Sequence, residues 1–429
     1  MSRRPSRSFF TWSISMCAAL SSLWCCGSRA TLPFKPTSIS LNFFRVPYQN
    51  ARAGVMVAAA SRHSGARCTG TRRRRLGHSV WTGKARWSSQ SSVLLESSSM
   101  SCDQSGSADE GRAWPEELRS CLKDEGELTV GQIINAAAEW LGLYNVIDPK
   151  ASAAELLAKA LGYRGAKELL QAHSRQSQLP LSNSQAAYFQ DLCQQRSRHV
   201  PVQYLMGEWD WHEISLLVRP PVLIMRPETE ELVEMVLADI KAKGLENKPL
   251  SMLDVGAGTG AIGLALLNKL PKLMCTACDI SPEAVALASE NAIKVGVSDR
   301  YSCHLGSIES PDTLGSSTTF DLIVSNPPYI PKPDMKGLSS DVVNYEDWNA
   351  LCGGADGLDV VNLIIERAPA LLSQGGVRKL WMEVDSSHPE LLEKRLSTPQ
   401  VLDMPRQPEF EWWNDLGQLP RFVCISFAP

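Results

Sequence analysis

From Leu250 to Phe427, short apolar runs alternate with segments whose apolar residues recur at helical spacing. Strands are expected at Ser251–Val255, Leu273–Asp279, Phe320–Ser325, Val377–Val384 and Phe422–Phe427. Helices are expected at Ala261–Leu270, Pro282–Val295 and Val360–Leu372. A strand that is followed by a helix cannot turn back as a hairpin. It re-enters the sheet beside its predecessor, in the same direction, with the helix packed across a face. The chain is therefore expected to be an α/β protein with a doubly wound, mostly parallel sheet.

The chain ahead of this region is organised differently. Residues 96–112 are rich in Ser, Gly, Asp and Glu and read as a linker. Over 113–198 the pattern is helical, with Ile133, Ile134, Ala137, Ala138 and Leu141 on one stripe. Ser152 with Glu155, and Ser182 with Gln185, have the spacing of capping boxes ahead of apolar runs. Residues 199–226 form a connector in which Ile214–Val218 and Val222–Ile224 are expected to pair as a short hairpin. A helix opens at Arg226–Thr229, where Pro227 suits the first turn and Glu228 and Glu230 favour its positive end. The sheet domain then runs over 227–429.

Charge divides the chain as sharply. Residues 1–95 contain 15 Lys and Arg, 17 Ser and no acid, while the remainder carries 28 basic and 46 acidic side chains, a net of −18. An Arg- and Ser-rich, acid-free start is the composition of an organelle transit segment. Its rivals are a secretory signal with Met16–Cys26 as apolar core, which serines interrupt, and a plain basic tail. A mitochondrial matrix location is the expectation. No apolar run approaches the roughly 18–20 residues of a bilayer span. The acidic remainder is a poor match for a phosphate backbone, so direct nucleic-acid binding is not expected. Cys275 and Cys278 make a lone C-x-x-C whose odd spacing in a strand sends the two thiols to opposite faces, and no metal site is expected.

Two motifs carry chemistry. In Leu253-Asp254-Val255-Gly256-Ala257-Gly258-Thr259-Gly260 a strand gives way to a helix through a turn of alternate glycines, which let backbone approach a ligand closely. The next strand ends in Asp279, the position from which an acid accepts hydrogen bonds from a ribose. Together they predict a nucleoside ligand at the C-terminal edge of a parallel sheet. The second motif, Ser325-Asn326-Pro327-Pro328-Tyr329-Ile330, directly follows another strand. Two prolines hold φ and remove two N–H donors, so carbonyls dominate; Asn326 adds an amide oxygen and Tyr329 an aromatic face. The set suits an NH₂ group.

These motifs resemble those of the S-adenosylmethionine-dependent amino-methyltransferases. The stretches Pro201–Glu208, Arg226–Glu230, Asn344–Glu346, Gly353–Leu358 and Pro420–Phe422 narrow the resemblance to the peptide chain release factor glutamine N5-methyltransferases of the HemK type, over about residues 115–428. Trp209, Tyr345–Asp347 and Glu383–Asp385 are most similar to the animal mitochondrial branch. The chain departs from the usual pattern at Met225 and Asp347, where prolines are common, and at His304–Ile308, where an acid is common.

The resemblance implies a class I S-adenosylmethionine-dependent methyltransferase fold with a seven-stranded sheet and a small N-terminal helical domain that docks the substrate. It implies S-adenosyl-L-methionine as cofactor and the glutamine of the Gly-Gly-Gln motif of a mitochondrial class I peptide chain release factor as target. Asn326 and Pro327 would be catalytic, accepting the two hydrogens of the target amide. Pro328 and Tyr329 would complete the substrate site. Gly256, Ala257, Gly258, Thr259, Gly260, Asp279, Ile308 and Asn326 would hold the cofactor. A nucleic-acid adenine methyltransferase and a non-catalytic cofactor-binding assembly factor are the alternatives.

Overall fold

The computed structural model describes residues 113–116, 118, 128–314, 318–398 and 406–428. The transit-like segment 1–95 and the linker 96–112 lie outside the described residues. The fully described elements begin with the helices α1 (Val130–Gly142), α2 (Pro149–Ala160), α3 (Ala166–Ala172) and α4 (Asn183–Ser197). Ile133, Ala137 and Leu141 of α1 pack with Leu156 and Leu157 of α2 and Phe189 of α4. Trp114 sits edge-on against Trp140, with ring centroids 5.0 Å apart. The capping box of Ser182 and Gln185 forms at α4, and a second joins Thr129 to Gln132 at α1.

The box expected from Ser152 and Glu155 does not form. Pro149 presets the first turn, so α2 starts four residues earlier, behind Asp148. Ser152 is thereby carried into the helix, where its Oγ accepts from Arg196 Nε at 3.2 Å. Glu155 Oε2 accepts from the Ala166 N–H at the start of α3, 2.9 Å away.

After a short helix, α5 (Val202–Met206), the hairpin consists of β1 (Glu208–Trp211) and β2 (Ile214–Leu217). The strand expected at Val222–Ile224 is absent, because Pro220 and Pro221 ahead of it have no N–H to offer a ladder. His212 and Glu213 both adopt positive φ, 43° and 64°, in the two-residue turn that joins β1 to β2. Helix α6 (Pro227–Ala242) follows, with Pro227 in its first turn and Glu228 and Glu230 at its positive end.

Apart from short helical turns, the remaining described elements are β3 (Leu250–Val255), α7 (Ala261–Lys269), β4 (Leu273–Asp279), α8 (Pro282–Val295), β5 (Tyr301–Leu305), β6 (Leu322–Ser325), α9 (Asp359–Leu371), β7 (Lys379–Glu383), α10 (His388–Leu396), β8 (Glu409–Asn414) and β9 (Pro420–Ser426). They build a seven-stranded sheet in the order β5-β4-β3-β6-β7-β9-β8. The strands from β5 to β7 are parallel, and β9 runs antiparallel to both β7 and β8. Alternation along each strand splits the core. Met252, Cys275, Val324 and Trp381 face the helices α6 and α7, while Leu253, Cys278, Ile323 and Met382 face α9 and α10. Strand β8 escaped the sequence pattern because it lies at the sheet edge, with most of its side chains in water. Among the described residues, no helix is long and apolar enough to cross a membrane.

Candidate active site

The strand order reverses between β4 and β6 on either side of β3, and the loops at the C-terminal ends of these strands open a crevice there. Gly256, Gly258 and Gly260 follow β3 with φ of 77°, 54° and 82°. The turn is tied to the end of β4: the Gly256 and Ala257 N–H groups donate to the Cys278 carbonyl at 2.9 and 3.1 Å. Asp279 completes the tie. Its Oδ2 accepts from Gly258 N at 2.8 Å and its Oδ1 from Ser281 N at 2.9 Å. Burial pushes the Asp279 carboxyl above its ordinary value, and these two N–H groups oppose that. A carboxylate offers about four lone-pair positions, so two remain for hydroxyl groups.

A cavity of about 350 Å³ opens over this turn, within the size range of small-molecule sites. Gly256, Gly258 and Asp279 form its polar side; Ile280, Ile308, Leu363 and Ile364 form apolar walls; and Asn326 and Pro328 close one end. Ala257, Thr259 and Gly260 do not line it. Thr259 is buried and its carbonyl accepts from Asn291 Nδ2 at 2.9 Å. Gly260 caps α7, where a Cβ would lie 3.2 Å from Ala288 Cβ. A backbone able to approach a ligand, a carboxylate for a sugar and flat apolar walls for a base together fit S-adenosylmethionine. Among the described residues no cluster of His, Cys, Asp and Glu has the makings of a metal site.

A second, smaller pocket of about 180 Å³ adjoins the first, lined by Arg226, Asn326, Pro327, Tyr329, Leu338, Val342 and Leu351 among others. Leu223, Asn326 and Ala350 line both. Asn326 is thus part of the wall between two compartments. The glycines of Gly353–Leu358 permit close packing behind the motif: a Cβ on Gly353 would stand 2.6 Å from the Pro328 carbonyl oxygen. The outer wall of the smaller pocket belongs to residues 338–351, which are anchored to the helical part of the chain. Asp341 pairs with Arg196 at 2.7 Å and with His199 at 3.0 Å, and the Tyr345 hydroxyl donates to the Arg198 carbonyl at 2.9 Å.

Sequence inspection missed the groups behind Asn326. Its Nδ2 donates to Thr229 Oγ1 at 3.1 Å, Thr229 Oγ1 donates to Glu383 Oε2 at 2.7 Å, and the Tyr329 hydroxyl donates to Glu383 Oε1 at 3.0 Å. Thr229 and Glu383 are 4% and 1% exposed. Burial raises the Glu383 carboxyl above its ordinary value, against the pull of the two hydroxyls and of Arg421. Thr229 lay in a segment that reads simply as a helix start, and Glu383 at the end of an apolar strand, so local pattern held no sign that they meet. Arg226, at the head of α6, lines the same pocket and pairs with buried Glu346 at 2.7 Å.

Comparison with known proteins agrees with this architecture. Residues 132–207 match the PrmC N-terminal domain and residues 234–339 the methyltransferase small domain. The human MTRF1L release factor glutamine methyltransferase is 38% identical over 274 residues, covering 62% of this chain and 79% of that protein. The release factor glutamine methyltransferase of Chlorobaculum tepidum is 33% identical over 270 residues, 62% of this chain and 89% of its own length. That of Geobacter sulfurreducens is 38% identical over 208 residues, 48% and 67% respectively. Similarity of this extent, spanning the helical part and the sheet in one chain, shows that the protein is an S-adenosylmethionine-dependent enzyme and belongs to the release factor glutamine methyltransferases.

Proposed function

We propose that this enzyme methylates the side-chain N5 of the glutamine in the Gly-Gly-Gln motif of a mitochondrial class I peptide chain release factor, in the mitochondrial matrix. The observation that carries the chemistry is the position of Asn326 in the wall common to the two cavities. The larger cavity suits the cofactor, with Gly256, Ala257, Gly258, Thr259 and Gly260 as its turn, Asp279 at the ribose and Ile308 at the base. The smaller one, lined by Pro327 and Tyr329, suits an amide side chain; Pro328, expected in the substrate site, lines the larger cavity instead. The family relatives named above support the release factor as substrate, and the acid-free residues 1–95 support the compartment. Residues 113–198 are proposed to dock the release factor.

A primary amide nitrogen is a poor nucleophile because its lone pair is delocalised into the carbonyl. When bound, S-adenosylmethionine supplies a methyl group already activated by its sulfonium. The protein's task is then to position and polarise the amide. Asn326 Oδ1 and the Pro327 carbonyl accept its two hydrogens and aim the nitrogen through the shared wall. Such alignment is worth several kcal/mol, up to roughly 7–11 in ideal cases. The same oxygens favour the pyramidal nitrogen and stabilise the positive charge that develops on it. The test is intact-mass spectrometry of a mitochondrial release factor incubated with the full chain and S-adenosylmethionine. A gain of one methyl, mapped to the loop glutamine and lost with Asn326→Ala, is expected. No gain, with cofactor binding confirmed by calorimetry, would reject this substrate.

A further inference from the structure

The amide of Asn326 has two faces of opposite hydrogen-bonding character, and only one of them serves the reaction proposed above. A 180° rotation of the amide exchanges an acceptor for a donor at nearly constant shape. A donor turned toward the substrate NH₂ would repel it. Something must therefore decide the rotation, and the residues behind Asn326 do so by counting protons. Glu383, as a carboxylate, has acceptors only. It takes the Thr229 hydroxyl proton at 2.7 Å and the Tyr329 hydroxyl proton at 3.0 Å. Thr229 Oγ1 has then spent its one proton and faces Asn326 with lone pairs alone. Only the NH₂ side of Asn326 can satisfy them, and it does so at 3.1 Å.

We propose that Thr229 and Glu383 are positioning residues that hold Asn326 in the rotation presenting its carbonyl oxygen to the substrate amide. The inference rests on the reading of Asn326 as the substrate's acceptor. Tyr329 enters twice: its ring lines the smaller pocket and its hydroxyl occupies the second oxygen of Glu383, which keeps the first for Thr229. The chain of contacts spans three distant places in the sequence, the start of α6, the loop after β6 and the end of β7. It is nearly dry, since Thr229 and Glu383 are almost wholly buried. Water therefore cannot readily replace a missing partner, and losing one link should reach Asn326.

Glu383→Gln and Thr229→Val test the relay at nearly constant size. Glu383→Gln puts an NH₂ where one oxygen was. If that NH₂ faces Thr229, the hydroxyl is free to donate to Asn326, which can receive only through its oxygen and so turns the wrong face to the substrate. Thr229→Val removes the acceptor and leaves the amide free to rotate, whereas Thr229→Ser keeps the hydroxyl. In steady-state methylation of a release factor, kcat should fall roughly tenfold to a hundredfold in Glu383→Gln and Thr229→Val. Thr229→Ser should retain most of it, and the dissociation constant for S-adenosylmethionine by calorimetry should stay within about twofold in all three. Wild-type turnover in Thr229→Val, or an equal loss in Thr229→Ser and Thr229→Val, overturns the relay. Asn326→Ala is measured alongside: if it is active, the acceptor reading itself fails, and if it is inactive while the relay variants match wild type, only the relay fails.

Discussion

Asp254 is the next-to-last residue of β3, directly beneath the glycine turn, and is 1% exposed. Its Oδ2 accepts from the Gly263 N–H at 3.0 Å, and its Oδ1 has no partner. Burial pushes its carboxyl up to about 7; the Gly263 N–H opposes this and the nearby Asp279 adds to it. In the unfolded chain the same carboxyl titrates near 3.9. The folded value is the higher one, so the stability linked to this group is fully present below pH 4 and is lost as pH rises to about 7. At about 1.4 kcal/mol per unit, a gap of roughly three units amounts to about 4 kcal/mol, of which about 3 kcal/mol falls between pH 5 and pH 8. Asp254→Asn preserves the shape and an acceptor for Gly263 but cannot ionise. Its NH₂ meets no acceptor, which lowers stability by about 1–3 kcal/mol at every pH. The diagnostic quantity is therefore the slope. Urea unfolding followed by tryptophan fluorescence at pH 5, 6, 7 and 8.5 should show the variant gaining on wild type by about 1.4 kcal/mol per pH unit up to about 7, then levelling. Glu346 and Glu383 are also raised by burial, but they titrate in both proteins and cancel in the difference. A difference curve that is flat between pH 5 and pH 8 would refute the reasoning.

Three further outcomes follow from the same structure. Asp279→Ala removes the acceptor for Gly258 N and Ser281 N together with the proposed ribose contact, and calorimetry should show cofactor affinity lowered by about tenfold or more, about 1.4 kcal/mol. Arg196→Ala takes from Asp341 one of its two partners, leaving His199, and leaves Ser152 Oγ and the Val200 carbonyl without their donor. Urea unfolding should register a loss of about 3 kcal/mol. Gly263→Ala places a Cβ 2.9 Å from Cys275 Sγ and 3.1 Å from the Tyr301 ring, and thermal unfolding should show a loss of about 1–3 kcal/mol.

The local code of this chain carries a good deal of its structure. Alternation of β-period and helical-period segments determined a doubly wound parallel sheet, because a helix between two strands leaves few other ways for them to pair. Gly256, Gly258 and Gly260 announced a turn at positive φ, which few other residues tolerate. Asp279 and Asn326 were visible as functional candidates because the first ends a strand and the second directly follows one, at the edge where parallel sheets bind ligands. The Cys275 and Cys278 thiols separate to opposite faces, as strand geometry requires.

Other features depended on partners far along the chain. Ser152 has the spacing of a cap, yet it lies inside α2 and accepts from Arg196, 44 residues on. The partner of β2 proved to be β1, since a ladder needs N–H donors that Pro220 and Pro221 lack. Thr229 and Glu383 stand 154 positions apart, and no periodicity links them. They meet because the head of α6 is packed across the end of β7, and burial then makes every hydroxyl and carboxylate there find a partner. The sequence by itself thus determined the sheet, the turn and the strand-end residues, which follow from backbone period and residue type. Tertiary structure alone decided which buried proton goes to which oxygen around Asn326.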